Sequence, residues 1–241
     1  MIAAVQLPGA AAGVLLLILL VLLPLAALRS SRVFRSAAAA GATGGAAALP
    51  SSVSIWKQTI LVQAVLLLLA WHTGRGFGYR LFAVGDLGGR DFGAATLALG
   101  ATFAIRAILR RARGEKERRG LAVMRLAPRT PREWAWWGAT VAAASVAEEA
   151  AYRGVGMACL TWSLGDPRPA ALLMAAAFAG AHAVQGWKSG LAIFAIALVM
   201  HALVAITGTL VLAMAVHAIF DVVSGYRIAR EAARFRESAP A

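Results

Sequence analysis

Long apolar runs separated by short polar segments dominate the chain. Most are long enough for a helix to cross ~30 Å of hydrocarbon, which takes about 20 residues. The first run covers residues 10–28. It has no charged n-region and no clear cleavage site, so it reads as a spanning helix rather than a removable signal. An Ala-, Gly- and Ser-rich stretch with one proline, 36–52, reads as a flexible connector to a second run at 54–72. The Gly-rich segment 74–92 carries both charge signs and predicts an external loop, and a third run follows at 93–109. Thr130-Pro131-Arg132-Glu133 has the form of a helix start, with proline at the first helical position and an acid in the first turn. It opens a fourth run that ends near Trp162. Asp166-Pro167-Arg168-Pro169 predicts a tight turn, and runs at 170–187, 191–206 and 209–225 complete the pattern. The fold expected is all-α, a polytopic membrane helical bundle of about seven transmembrane helices, with room for an eighth half-span near the first connector. N-terminal helices and a basic loop (1–128), a C-terminal core (129–228) and a basic tail (229–241) divide the chain.

Composition agrees. Of 241 residues, 60% are hydrophobic and the mean hydropathy is +0.72, against about 45–50% apolar in a soluble domain. A net charge of +13 on a soluble face would suggest nucleic acid. Here the basic residues lie between apolar runs, where they report topology. Arg29, Arg32, Arg35 and Lys57, the cluster from Arg106 to Arg132, Lys188, and Arg227, Arg230, Arg234 and Arg236 all fall on one side of the predicted membrane. Only Arg75, Arg80, Arg90 and Arg168 fall on the other. The N-terminus is therefore expected outside and the C-terminus in the cytoplasm. The basic loops are expected to anchor that topology and touch anionic lipid, with no nucleic-acid partner. Arginine far outnumbers lysine and alanine is abundant, which points to a bacterial cytoplasmic membrane. The single cysteine, Cys159, excludes an internal disulfide and a Cys-based metal cluster. It reads as a small packing residue.

Ionisable groups inside these runs change the picture. Ala147-Glu148-Glu149-Ala150-Ala151-Tyr152-Arg153 puts two carboxylates and a guanidinium where each costs roughly 2.5–3.5 kcal/mol to insert. Such groups must face protein or a wet cavity. His182, and His217 with Asp221, lie in later runs. By helix rise, Glu148 sits on the order of 10 Å deep, His182 ~8 Å and His217 ~15 Å, all in or near the cytoplasmic half. Phe178 and His182 share a helix face, as do His217 and Asp221. Glu149 and Arg153, four apart, are placed for an ion pair, whereas Glu148 points about 100° away and is the better general base. His201 and His72 lack an acidic neighbour one turn away and read as helix–helix hydrogen-bonding groups.

Glu148-Glu149-x-x-x-Arg153, Phe178-x-x-x-His182 and His217-x-x-x-Asp221 resemble the three signature motifs of the CPBP intramembrane protease family (CAAX protease and bacteriocin-processing, Abi), which includes the type II CAAX prenyl endopeptidases. The resemblance covers residues 133–224. The first three helices carry no family signal. It implies an intramembrane endopeptidase whose site opens to the cytoplasm. Glu148 would activate the attacking water. His182, His217 and Asp221 would hold that water or a metal and stabilise the oxyanion, while Glu149 and Arg153 brace the site. The last motif position is Asn in many members, and Asp221 here adds a negative charge that favours a bound cation. Two mechanisms stay open. One uses a divalent metal (zinc) on Glu148, His182, His217 and Asp221; the other is metal-free, and the His-Glu-x-x-His helix of soluble zincins is absent. The expected substrate is a peptide or membrane protein. The rival expectations are a non-enzymatic scaffold or bacteriocin-immunity protein with the same fold, or an ion-coupled transporter.

Overall fold

The structure, a computed structural model, describes residues 9–42 and 50–238, and every regular element among them is helical. Helix α1 covers 10–42, with a π-helical turn, Ile18–Leu22, between Ala10–Leu17 and Leu23–Ala42. Proline supplies a reason for that turn. Pro24 has no N–H to give the carbonyl one turn back, and a wider turn relieves the mismatch. Then come α2 (Ser52–Gly76), α3 (Gly89–Arg111), the short α4 (Glu115–Arg119) and α5 (Ala122–Arg125). Helix α6 covers 131–164 and contains a second π-helical turn, Glu149–Val155. Helices α7 (Pro167–Ala181), α8 (Trp187–Thr207) and α9 (Leu210–Glu237) complete the chain.

Among the described residues five helices are long and apolar enough to cross a membrane: Ala10–Phe34 within α1, then α2, α3, α8 and α9. Of the two remaining expected spans, α6 runs among the other helices, and α7 buries Met174, Ala175 and Phe178 while exposing Leu172 and Leu173. Helix α6 carries the charged stretch, and α7 has 15 residues, about 22 Å of helix. Large apolar side chains such as Leu61, Leu97, Leu172 and Leu191 point outward. That is the arrangement of a bundle solvated by lipid, where every backbone group is satisfied within its own helix.

Helix α6 packs along α2, α7 along α8 and α1, and α9 against α3 and α6. Small residues make these approaches possible: Ala150, Ala151, Ala170 and Ala175 are fully buried with Leu15, Leu19 and Met174. A Cβ on Gly180 would lie 3.1 Å from the Pro24 ring, so the α1–α7 crossing depends on the missing side chain.

Several expected boundaries shift. The connector 36–52 is helical as far as Ala42, because its alanines are strong helix formers, and the rest of it up to residue 49 lies outside the described residues. The external loop shrinks to 77–88. The expected basic tail is no tail as far as 237: α9 continues straight through it, the arginines helping to cap the carboxyl end. Residues 239–241 of that tail lie outside the described residues. The helix start at Thr130 is as expected. Thr130 Oγ1 accepts from Glu133 N at 3.2 Å, and Glu133 Oε2 accepts from Thr130 N at 3.2 Å, a reciprocal capping box.

Candidate active site

The charged stretch of α6 sits at the change of helical pitch. Glu148 ends the α-helical part, and all seven residues of the π turn, Glu149–Val155, are buried. The wider turn needs glycine behind it: a Cβ on Gly156 would collide with the Ala151 carbonyl oxygen and lie 2.7 Å from Leu19 Cδ1. Single π turns inside α-helices occur frequently at functional sites, since they re-aim the side chains on them.

Glu148 has two differently held oxygens. Its Oε1 accepts a hydrogen bond from Gln63 Nε2 of α2 at 2.6 Å. Its Oε2 lies 4.0 Å from His217 Nε2 of α9. The other side of that imidazole, Nδ1, is 2.8 Å from Glu149 Oε1. Asp221, one turn further along α9, places Oδ2 3.5 Å from His217 Nε2. One imidazole thus meets three carboxylates, two from α6 and one from its own helix. Glu149 is fully buried and shares its Oε1 with Arg153 Nη1 at 3.3 Å, the ion pair expected from the four-residue spacing. The buried Nε and Nη1 of Arg153 and Oε2 of Glu149 make no hydrogen bond among the described residues. The guanidinium instead lies over the Phe178 ring, 4.1 Å from its centroid.

Helix α7 delivers the remaining residues through its end rather than its middle. It stops at Ala181, leaving late carbonyls without a helical partner. His182 caps one of them, its Nδ1 donating to the Phe178 carbonyl oxygen at 2.8 Å. The bond sets the ring's tautomer, leaving Nε2 with its lone pair free in the neutral imidazole. Phe178 stacks in turn against His182, with centroids 4.6 Å apart, and meets Tyr152 edge-on at 5.0 Å. The expected placement of His182 inside a helix running on to residue 187 is corrected: it is a helix-end residue followed by a 3₁₀ turn, Ala183–Gln185.

All seven residues singled out from the sequence, Glu148, Glu149, Arg153, Phe178, His182, His217 and Asp221, line one cavity of about 360 Å³. Asp221 is the most exposed of the His217 neighbours, with a third of its side chain accessible. Gln63 was missed from the sequence, although a lone amide in the apolar run 54–72 is itself a costly group asking for a partner. Arg106 of α3, whose Nη2 donates to the Ser224 carbonyl oxygen at 3.3 Å, was read only as a topology charge and also lines the cavity. His201 does not act as the hydrogen-bonding glue expected of it, since it is buried with Nε2 unpartnered among the described residues.

Among the described residues no group of three or more His, Cys, Asp and Glu side chains is arranged to hold a metal ion. Nδ1 of His182 is engaged with a carbonyl and Nδ1 of His217 with Glu149, which leaves Nε2 as the ring atom of each histidine that could ligate.

No curated protein and no solved structure matches the chain. A family model does: residues 130–223 match the family described as Type II CAAX prenyl endopeptidase Rce1-like. The match begins at the capping threonine of α6, takes in every charged and imidazole group of the cavity except Arg106, and leaves out α1 to α5, including Gln63. Through that segment the chain is similar to the CAAX prenyl endopeptidase family of intramembrane proteases.

Proposed function

We infer that the protein is an intramembrane endopeptidase that hydrolyses a peptide bond of a membrane-associated peptide or protein with a water molecule activated by Glu148. The observation that carries this reading is the 4.0 Å gap between Glu148 Oε2 and His217 Nε2. Two hydrogen bonds of about 2.8 Å meeting at roughly 90° span about 4.0 Å, so one water fits between the two groups while Gln63 holds the other carboxylate oxygen. Glu148 takes the water proton as the oxygen attacks the scissile carbonyl, then passes that proton to the departing amine nitrogen. His182 Nε2, an acceptor once Nδ1 donates to Phe178, orients the water. His217, facing three carboxylates, donates from Nε2 to the developing oxyanion and is oriented through Nδ1 by Glu149. Arg153 balances the buried Glu149. No step passes through a metal.

Trp137, Gln185 and Ser189 line the cavity towards the end of the bundle that carries the arginine-rich helix ends, where Arg113 donates to Ser189 Oγ. The excess of positive charge there supports an opening to the cytoplasm. The test uses purified protein in nanodiscs with a library of peptides carrying an apolar anchor, and mass spectrometry of the products. Cleavage is expected with the wild type and absent with Glu148→Gln, a nearly isosteric change that removes the base. Cleavage by Glu148→Gln at the wild-type rate refutes the mechanism.

A further inference from the structure

A second cavity, of about 550 Å³, lies next to the first, between the ends of α3 and α9 and the short α4. Its walls are guanidinium groups from all three helices, with one carboxylate, Glu231. Glu231 pairs with Arg118 at 2.7 Å and with Arg110 at 3.5 Å. Arg111, Arg227, Arg230 and Arg234 have no carboxylate partner among the described residues, and the last three recur on one face of α9. Arg106 completes the wall and lines the catalytic cavity as well.

Cations held together without counter-charges repel one another, and an anion docked among them relieves the repulsion. Guanidinium forks match the oxygens of a phosphoryl group, and several forks converging from different helices suit an acceptor with oxygens on more than one side. A single carboxylate would leave most of this charge uncompensated. The height of the cavity narrows the source. It begins where the apolar part of α3 ends, and Tyr226, which lies under Arg230 at 5.9 Å, packs 6.4 Å from Trp134. Tyrosine and tryptophan of this kind mark headgroup level. We propose that this arginine-walled cleft is a binding site for the phosphorylated headgroup of an anionic lipid, seated beside the catalytic cavity.

The test is native mass spectrometry of the full chain in detergent, titrated with dioleoyl phosphatidic acid, with dioleoyl phosphatidylcholine as the neutral-headgroup control and sodium pyrophosphate as the soluble phosphoryl probe. The cleft variant is Arg227→Gln/Arg230→Gln/Arg234→Gln; Arg29→Gln/Arg32→Gln removes charges elsewhere. One phosphatidic acid is expected to bind saturably, at least tenfold more tightly than phosphatidylcholine. Its affinity is expected to fall at least tenfold in the cleft variant and to stay within twofold in the other, and pyrophosphate should compete for the same site. Equal losses in both variants, or none in the cleft variant, overturn the site. Binding of pyrophosphate without phosphatidic acid overturns the lipid assignment. Should the glutamine variant fail to fold, Arg227→Lys/Arg230→Lys/Arg234→Lys keeps the charge and removes the forks. Weakened binding in it supports the proposal, and wild-type affinity overturns it.

Discussion

Gln63 is the residue through which the N-terminal helices reach the chemistry, and replacing it with leucine isolates that contribution. The side chain keeps an apolar stem, ends one atom shorter, and loses the amide that donates to Glu148 Oε1 at 2.6 Å. Hydrogen bonds to charged groups contribute about 1.5–3 kcal/mol. The bond is buried, so water does not readily replace it. If it holds the carboxylate in the orientation that accepts the water proton, the loss appears in the transition state, as a fall of about 10- to 150-fold in kcat/KM. The fall should lie in kcat, with KM within about twofold, because Gln63 touches the base rather than the substrate. Gln63→Asn, which shortens the reach by about one methylene, should fall between wild type and Gln63→Leu. Gln63→Glu, which sets a second carboxylate against the first, should lose at least as much as leucine. The assay is steady-state cleavage of the best peptide from the nanodisc library, with melting temperature followed alongside. Wild-type kcat in Gln63→Leu would refute the positioning role, as would a loss confined to KM.

Other consequences can be checked independently. Arg153→Leu leaves Glu149 buried with only His217 as partner, and the expected cost is about 3–5 kcal/mol, read as a large drop in melting temperature or failure to accumulate in the membrane; an unchanged melting temperature would contradict the ion pair. Prolonged chelation with dialysis should leave cleavage within about twofold of the untreated protein; a loss that zinc restores would show that a metal takes part after all. Glu117 of α4 accepts from Lys188 Nζ at 2.7 Å and pairs with Arg113, which holds its carboxyl below the ordinary value of 4.5. A depressed carboxyl contributes stability that is fully present above the ordinary value and lost as pH falls through the folded one. The melting-temperature difference between wild type and Glu117→Gln should therefore be constant at neutral pH and shrink as pH falls below the ordinary value of 4.5; a difference that grows with acid would reverse the sign.

The helices and the motif residues left traces in the sequence because both answer to the bilayer. An apolar run of spanning length and a carboxylate inside it each carry a large transfer free energy, which composition alone reveals. For the same reason the Glu149–Arg153 pair was legible from its four-residue spacing, and the Thr130 helix start from its local capping chemistry. Local patterns misplaced what neighbouring helices control. His182 was expected inside a span, yet α7 ends one residue earlier and the histidine caps it. The predicted tail continues as helix because α5 packs on its far end through Met124 and Ala229. Which partner each polar group finds was decided only in three dimensions. Gln63 meets Glu148 across 85 residues of sequence, and His217 meets Glu149 across 68. The wide turn that aims the α6 carboxylates rests on Gly156 passing close to Leu19 of another helix. A membrane sequence determines which groups must be hidden, because hiding them is costly anywhere in hydrocarbon. The packing of helices far apart in the chain determines against what they are hidden, since contact distances of 3–4 Å depend on crossing geometry that no single helix encodes.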